Sequence, residues 1–200
     1  NENPFRIYGG LQDNGSWVGP SAKPGGIGNG DWKTVYWGDG FWTVPDPTDP
    51  NIVYAESQGG NSARIDLRTF KSYNIKPQQT ASQEKLRWNW NSPIVCGAKN
   101  KKNLYVAAQY IFKSTDQGRN WSVISPDLTT NDKKKQQQEN SGGLSADNTS
   151  AENHCTVFTI AESPLNEQLI WAGTDDGNLQ LTLDGGKTWK KTLFVNNQTG

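Results

Sequence analysis

The chain has 200 residues, an apolar fraction of 32% and a formal net charge of zero, which fits a soluble globular piece of one domain or part of one. The balanced charge offers no electrostatic attraction for nucleic acid, and no apolar run approaches the roughly 18 residues of a membrane span. Nine tryptophans, 21 glycines and ten prolines instead favour many short strands joined by polar turns, without long helices.

One apolar segment recurs four times along the chain and predicts the same strand in each of four repeated units. Its copies are residues 6–9, 52–55, 104–107 and 169–172. A second apolar run precedes the last three copies, at residues 41–44, 93–96 and 156–160. The first copy has no such run before it, so we expect the first unit to be incomplete.

Two eight-residue stretches share the spacing Ser/Thr-x-Asp-x-Gly-x-x-Trp. Their defining residues are Ser114, Asp116, Gly118 and Trp121 in the first, and Thr182, Asp184, Gly186 and Trp189 in the second. A short carboxylate can accept hydrogen bonds from nearby backbone N–H groups, and the glycine supplies the positive φ that a reversal needs. Alternating apolar residues before each stretch and a short strand-like run after it predict a β-hairpin with the stretch at its tip.

This spacing resembles the Asp box, also called the BNR repeat, and on that account the chain resembles the Asp-box β-propellers. That family includes sialidases, xyloglucan-cleaving glycoside hydrolases and sortilin-type receptor domains, so the fold alone does not set an activity. Residues 7–17, 46–51 and 171–177 are similar to those of large secreted bacterial proteins described as glycosyl-hydrolase-like or sortilin-like. The resemblance implies an all-β fold with about three to four four-stranded blades, and a secreted, periplasmic or cell-surface location.

The repeats and the polar stretches between them divide the chain into six segments. These are a partial first blade with an inserted loop (1–37), a second blade (38–76), an inserted loop (77–91), a third blade with an Asp box (92–125), a long polar loop (126–153) and a fourth blade with an Asp box (154–200). A closed propeller has no free sheet edges. We therefore expect the chain to be part of a larger propeller, completed by further blades of a longer chain or by a second chain.

The order of strands a, b, c and d in a blade assigns each loop to a face. In an antiparallel blade the b-to-c turns and d-to-a connections share one face, which we call the loop face, and the a-to-b and c-to-d turns share the other. The Asp boxes are c-to-d turns, so their residues are predicted to be structural. On the loop face, amides, charged groups and tryptophans are predicted to contact a glycan or an extended peptide. These candidates are Gln12, Asp13, Asn14, Gln58, Arg87, Trp88, Trp90, Gln109 and His154.

Three functions remain open from the sequence: polymer recognition on the loop face, glycoside hydrolysis and a purely structural repeat. Hydrolysis needs two carboxyl groups about 5 to 9.5 Å apart beside an open groove. The candidates are Asp39, Glu56, Glu152, Asp175 and Asp176, and locking them in backbone turns would argue against it. Each loop-face residue taken alone also has a structural interpretation, such as turn capping or core packing. We favour recognition because no distinctive acid–base spacing is present.

Several chemistries find little support. Sialidases grip a carboxylate with an arginine triad, and only Arg87 falls on the predicted loop face. One histidine and two separated cysteines, Cys96 and Cys155, do not meet the spacing of a zinc or haem site, so we expect no metal or cofactor. Calcium at Asp175 and Asp176 is the one metal alternative left open. The two cysteines are interpreted as buried thiols, with a single disulfide as the alternative.

Overall fold

The computed structural model describes residues 3–80, 84–140, 149–151 and 153–192. Within these ranges the chain is built almost entirely of short strands, with two 3-10 helices at Asn29–Asp31 and Gln138–Asn140. The strands are β1 (Arg6–Leu11), β2 (Gly15–Pro20), β3 (Lys33–Tyr36), β4 (Thr43–Pro45), β5 (Ile52–Ser57), β6 (Asn61–Asp66), β7 (Lys71–Asn74), β8 (Ile94–Cys96), β9 (Leu104–Ala107), β10 (Ile111–Ser114), β11 (Ser122–Val123), β12 (Val157–Glu162), β13 (Ile170–Thr174), β14 (Leu179–Thr182) and β15 (Lys190–Lys191). No helix in the described ranges has the length and apolar character to cross a membrane.

The strands form four antiparallel sheets, and in each sheet strands that follow one another along the chain are hydrogen-bonded neighbours. The sheets are β1-β2-β3, β4-β5-β6-β7, β8-β9-β10-β11 and β12-β13-β14-β15. We call them blades 1 to 4. Blade 1 contains strands b, c and d among the described residues, whereas the other three contain a to d. The four predicted units are confirmed.

The alternation of side chains along β9 shows why the sheets stack. Leu104 and Val106 pack toward blade 2, in a cluster that contains Ile52 and other residues of that blade. Tyr105 and Ala107 point the other way and pack against residues of blade 4. Successive residues of a strand lie on opposite faces of the sheet, so a run that is apolar throughout buries both faces. Blade 3 is therefore a sheet held between two others.

Blades 1 and 2 approach through glycine backbones. The amide of Gly40 donates a hydrogen bond to the carbonyl oxygen of Leu11 at 3.0 Å. A Cβ atom on Gly10 would lie 2.3 Å from the carbonyl carbon of Gly40, closer than real atoms approach. Gly9, the neighbouring residue, would have no heavy atom within 4 Å of an added Cβ. The pair Gly10 and Gly40 thus lets two main chains touch directly.

The first octapeptide turn, residues 114–121, is closed by side-chain hydrogen bonds. The hydroxyl of Ser114 donates to Oδ1 of Asp116 at 2.8 Å and accepts the amide of Gly118 at 2.9 Å. Asp116 in turn accepts the backbone amide of Asn120 at 2.9 Å and its side-chain amide at 2.7 Å. Burial raises the pKa of Asp116, but these hydrogen bonds outweigh it and lower the pKa to about 2. Gly118 has a φ of 80°, the left-handed conformation that its sequence position predicted.

The second octapeptide turn, residues 182–189, repeats this arrangement. The hydroxyl of Thr182 donates to Asp184 at 2.8 Å and accepts the amide of Gly186 at 2.9 Å. Thr188 takes the place of Asn120 and donates both its hydroxyl and its amide to Asp184, at 2.6 and 2.9 Å. These bonds lower the pKa of Asp184 to about 2.

The tryptophan that ends each turn binds the blade before it. The indole nitrogen of Trp121 donates to the carbonyl oxygen of Ile75 at 2.7 Å, just after strand d of blade 2. Trp189 donates in the same way to Ile124 at 2.8 Å, just after strand d of blade 3. Each turn therefore fixes its own hairpin and also one boundary between blades.

Blade 2 has no octapeptide turn and closes its c–d connection differently. Asp66 accepts two hydrogen bonds from the guanidinium of Arg68, both at 2.8 Å. This turn, residues 66–71, contains no tryptophan that could bind blade 1. A cavity of about 250 Å³ lies between the two blades, with Val18, Leu67 and Phe70 among its lining residues. The boundary between blades 1 and 2 thus lacks the tryptophan hydrogen bond that ties each of the two later boundaries.

The two cysteines are free thiols. Cys155 is buried and lies just before β12, whereas Cys96 is half-buried in β8. Burial raises the pKa of the Cys96 thiol to about 12. The disulfide alternative is therefore not realised.

Candidate functional site: the loop face

Hydrogen bonds join the b–c turn of blade 1 to the connection that enters blade 2. Asp39 is buried, and its Oδ1 accepts the amide of Asp13 at 2.7 Å. The amide of Asp39 donates to Oε1 of Gln58, in the b–c turn of blade 2, at 2.8 Å. Gln12 and Asn14 are exposed, and the side chain of Asn14 donates to the carbonyl oxygen of Gln12. Asp39 and Gln58 thus organise this part of the loop face, and Gln12 and Asn14 lie at its surface.

Glu56 is fully buried between blades 2 and 3. Its Oε1 accepts the amides of Gly60 and Ser92, both at 3.2 Å, and Oε2 has no hydrogen-bond partner among the described residues. Burial raises the pKa of this carboxyl to about 9, against which the two amides and the nearby Lys76 act in the opposite sense. Glu56 is therefore neutral at pH 7 and joins a turn of one blade to the entry of the next.

Arg87 and Gln109 form a buried clamp between blades 3 and 4. The guanidinium of Arg87 donates to the carbonyl oxygen of Cys155 at 3.0 Å and pairs with the carboxylate of Asp127. The amide of Arg87 donates to Oε1 of Gln109 at 2.8 Å, and Gln109 donates to the carbonyl oxygen of Lys85. Both residues lie on the predicted face, but their polar atoms are directed at the protein.

Asp175 has its oxygens occupied by neighbouring donors. Oδ1 accepts the amide of Thr156 at 2.9 Å, and Oδ2 accepts the Thr156 hydroxyl at 2.7 Å and the side chain of Asn89 at 3.3 Å. Nδ1 of His154 lies 3.9 Å from Oδ1, and Nε2 of this half-buried histidine has no partner among the described residues. This group joins the entries of blades 3 and 4.

Asp176 holds the segment that leaves blade 3. It accepts the amide and hydroxyl of Thr130 at 2.6 and 2.8 Å, and the hydroxyl of Thr174 at 2.5 Å. Burial raises its pKa, but these hydrogen bonds outweigh it and lower the pKa overall. Within the described ranges, no group of three or more His, Cys, Asp or Glu side chains is placed to hold a metal ion.

Four of the five candidate catalytic carboxylates are held by the protein itself. Asp39, Glu56, Asp175 and Asp176 all accept hydrogen bonds from the protein, and Glu152 lies outside the described residues. A general acid or base must be directed at a substrate rather than at backbone amides. The arrangement of the four described residues gives hydrolysis no positive support.

The two tryptophans predicted as a platform differ in exposure. Trp88 is 7% exposed and stacks on Phe112, with ring centroids 5.9 Å apart, in the core between blades 2 and 3. Trp90 is half-buried and meets Phe41 edge to face at 6.2 Å. Trp88 therefore supports the face from below, while Trp90 borders its surface.

Sequence reasoning missed two tryptophans in the connection that enters blade 2. Trp37 is 75% exposed and Trp42 is 37% exposed. Trp42 was expected inside strand a, but β4 begins one residue later. Their position around the Gly38-Asp39-Gly40 turn was the signal that both belong to a surface connection.

Trp42 borders an open groove of about 430 Å³ at the junction of blades 1 and 2. We call it the Trp42 groove. Its lining residues are Tyr8, Gly9, Gly10, Gly40, Phe41, Trp42, Thr43 and Asn91. The side-chain oxygen of Asn91 is buried without a hydrogen-bond partner among the described residues. The groove combines aromatic area, exposed main chain and an amide.

The sequence matches no protein-family model and no curated protein. Solved structures do share its architecture. A GH74 enzyme of Niastella koreensis aligns with a TM-score of 0.58 and 16% identity, over 94% of this chain and 27% of that one. A GH74 xyloglucanase of Xanthomonas campestris aligns with a TM-score of 0.53 and 12% identity, over 86% of this chain and 26% of that one.

The chain is a partial β-propeller. At these identities the likeness shows the fold alone, and the chain spans about a quarter of either enzyme's length. The predicted fold class is thereby confirmed, and the function must be argued from the loop face itself.

Proposed function

We propose that this propeller segment is a recognition module that binds a glycan on the loop face. The observation that carries the proposal is the Trp42 groove, with the exposed indoles of Trp37 and Trp42 in the same connection. A tryptophan face offers rigid apolar area to a sugar ring, and amides and main-chain groups hydrogen-bond its hydroxyls. The two turns ending in tryptophan are, in this proposal, Asp boxes that stabilise the opposite face.

Binding is proposed rather than hydrolysis because of how the carboxylates are used. The described candidates hold turns and connections in place, so each is already bonded to the protein. Incubation with xyloglucan should release no reducing ends above the background of buffer alone. Release that disappears in an Asp175→Asn variant would favour the hydrolase alternative.

Xyloglucan oligosaccharides are the first probes, because the two similar structures belong to GH74 proteins, one of them a xyloglucanase. A glycan array followed by titration calorimetry would measure binding to the chain and to Trp42→Ala and Trp37→Ala variants. We expect Trp42→Ala to weaken binding by about five- to tenfold, in line with the loss of a stacking contact of about 1–1.4 kcal/mol.

The control is Leu165→Ala. Leu165 is 85% exposed and lies in the a–b turn of blade 4, on the face opposite to the loop face and away from blades 1 and 2. It should leave glycan binding unchanged, and far-UV circular dichroism should be the same for all variants. Absence of binding to every arrayed glycan, an equal loss in Leu165→Ala, or selective binding of an extended peptide instead would overturn the proposal.

We further propose that the outer faces of the terminal blades pack against other blades, from a longer secreted, periplasmic or cell-surface polypeptide or from a second chain. The outer side of blade 1 carries an apolar cavity of about 510 Å³ bordered by Ile7, Leu11, Trp17 and Trp32. Interior blades bury both of their faces, so an exposed apolar face is the expected mark of a missing neighbour.

Light scattering and an apolar dye would test this packing. Association of the chain that is lost in Leu11→Asp would identify a second copy as the neighbour. A monomer that binds the dye, with binding reduced in Leu11→Asp, would indicate blades of a longer polypeptide. A monomer that binds no dye would contradict the proposal.

A further inference from the structure

A second, smaller cavity lies on the loop face between blades 2 and 3, with a volume of about 220 Å³. Its wall includes Gly59 of the b–c turn of blade 2, Lys76 after strand d of that blade, and Lys85 and Trp88 of the connection to blade 3. Asn153, which precedes blade 4, closes another side. The b–c turn of blade 2, the connection from blade 2 to blade 3 and the segment before blade 4 thus meet around one polar hollow that the Trp42 groove does not include.

Lys76 is the central charge of this cavity. Its ammonium donates to the carbonyl oxygen of Gly59 at 2.8 Å, lies 3.4 Å from Oδ1 of Asn61 and sits 5.2 Å from the centre of the Trp88 ring. It forms no ion pair with any described carboxylate. A half-buried ammonium held only by neutral acceptors retains the ability to pair with an anion.

The surroundings leave this charge uncompensated. Glu56 is the nearby acid, but its carboxyl accepts the amides of Gly60 and Ser92 rather than pairing with the ammonium. Burial raises the pKa of Glu56 to about 9 and lowers the pKa of Lys76, since both charged forms are disfavoured away from water. Arg87 is matched by Asp127 and Glu84. Lys85 is exposed and lies 3.8 Å from a carboxylate oxygen of Glu139, a contact that water screens. Among the residues that the structure describes, the charges around the cavity are consequently positive overall.

Asn153 supplies a second unsatisfied group. Its side-chain nitrogen donates to the carbonyl oxygen of Trp88 at 2.6 Å, but its side-chain oxygen is buried without a partner among the described residues. A buried acceptor without a donor is unfavourable by about 1–3 kcal/mol. A ligand hydroxyl group next to an anionic group would satisfy this oxygen and the ammonium together.

Resting on the proposed glycan recognition, we propose that this cavity is a subsite for an acidic sugar, in which the carboxylate of a uronic acid pairs with the Lys76 ammonium. The volume suits one sugar residue of a polymer rather than a larger compound, since pockets for drug-sized ligands are about 300–1,000 Å³. The neutral part of the same polymer lies across the loop face toward the Trp42 groove.

Titration calorimetry with oligogalacturonate and with neutral xyloglucan oligosaccharides tests the subsite. The wild-type chain should bind oligogalacturonate about tenfold more tightly, which corresponds to about 1.4 kcal/mol. Lys76→Gln should abolish that preference and leave the neutral affinity unchanged. Lys71→Gln is the control, because Lys71 is exposed at the opposite end of β7 and should keep the preference.

The outcomes separate this inference from the one it rests on. If the chain binds the neutral glycan through Trp42 but shows no preference for the acidic sugar, the subsite alone is overturned. If it binds neither glycan, glycan recognition itself is overturned. An equal loss in Lys71→Gln, or equal affinity for oligoglutamate, would also overturn the subsite. If Lys76→Gln does not fold, titration of the labelled wild-type chain with galacturonate should shift the Trp88 indole N–H resonance, and an unshifted resonance would count against the proposal.

Discussion

The indole nitrogen of Trp121 donates a hydrogen bond to the carbonyl oxygen of Ile75, 2.7 Å away, and so ties blade 3 to the backbone of blade 2. Replacement by Trp121→Phe removes the donor and leaves that carbonyl oxygen without this partner. We expect the free energy of unfolding to fall by about 1–3 kcal/mol. Urea denaturation followed by circular dichroism would measure it. Trp37→Phe, at an exposed position, should change stability little, and an equal effect of both variants would contradict the assigned role of Trp121.

Two adjacent glycines in β1 should differ sharply in how much stability is lost when each is replaced by alanine. Gly10→Ala places a methyl group 2.3 Å from the backbone of Gly40, so the two blades must separate. We expect a loss of about 3 kcal/mol, at the upper end for overpacking, because the contacted atoms belong to main chain. Gly9→Ala meets no atom within 4 Å and should be nearly neutral. Thermal unfolding of the two variants makes the comparison, and similar melting temperatures would refute the close approach.

Acid should weaken the octapeptide turns. The folded-state pKa of Asp116 is about 2, below the ordinary value of 3.8, because hydrogen bonds from Asn120 and Ser114 outweigh burial. A lowered pKa stabilises the folded state at pH values above the unfolded-state pKa. This stabilisation is lost as the pH falls toward the folded-state pKa. We therefore expect a decline between about pH 4 and pH 2. In Asp116→Asn the decline should be shallower and the stability at pH 7 lower, as measured by urea titrations at successive pH values. A decline equally steep in the variant would exclude Asp116 as a source.

Glu56 should produce the opposite trend. Its pKa is raised from 4.5 to about 9 by burial, so between these values the folded state holds a proton that the unfolded state has lost. Stability then falls as pH rises, by at most about 1.4 kcal/mol per pH unit for one group, and levels off above pH 9. Glu56→Gln mimics the protonated acid, so its free energy of unfolding should rise relative to that of the wild-type chain as pH increases from 5 to 8. A constant difference between the two proteins across that range would show that Glu56 is ionised when folded.

The blade order could be predicted from the sequence because it depends on local patterns. The apolar copies near Tyr54 and Tyr105 mark strand b, and the spacing from Asp116 to Trp121 marks a hairpin tip, so strand identity and loop face follow from chain order alone. The contact between Asp13 and Asp39 places the b–c turn of blade 1 beside the connection that enters blade 2.

The direction of each side chain could not be predicted in the same way. Trp88 and Trp90 differ by two residues, yet one stacks on Phe112 in the core and the other borders the surface. Arginine is a residue type that often binds ligands, but the guanidinium of Arg87 is paired with Asp127, 40 positions later, and so joins two parts of the protein. Such outcomes depend on contacts between distant parts of the chain, which periodicity does not record.

Blade 2 lacks an octapeptide turn, and a cavity beside Phe70 lies where each later boundary has a tryptophan. The four blades are therefore not all attached to their neighbours in the same way. Indole hydrogen bonds join blade 3 to blade 2 and blade 4 to blade 3. Blade 1 is joined to blade 2 without such a bond, so we expect it to detach at the smallest free-energy cost and the Trp42 groove, which spans that junction, to open and close with it.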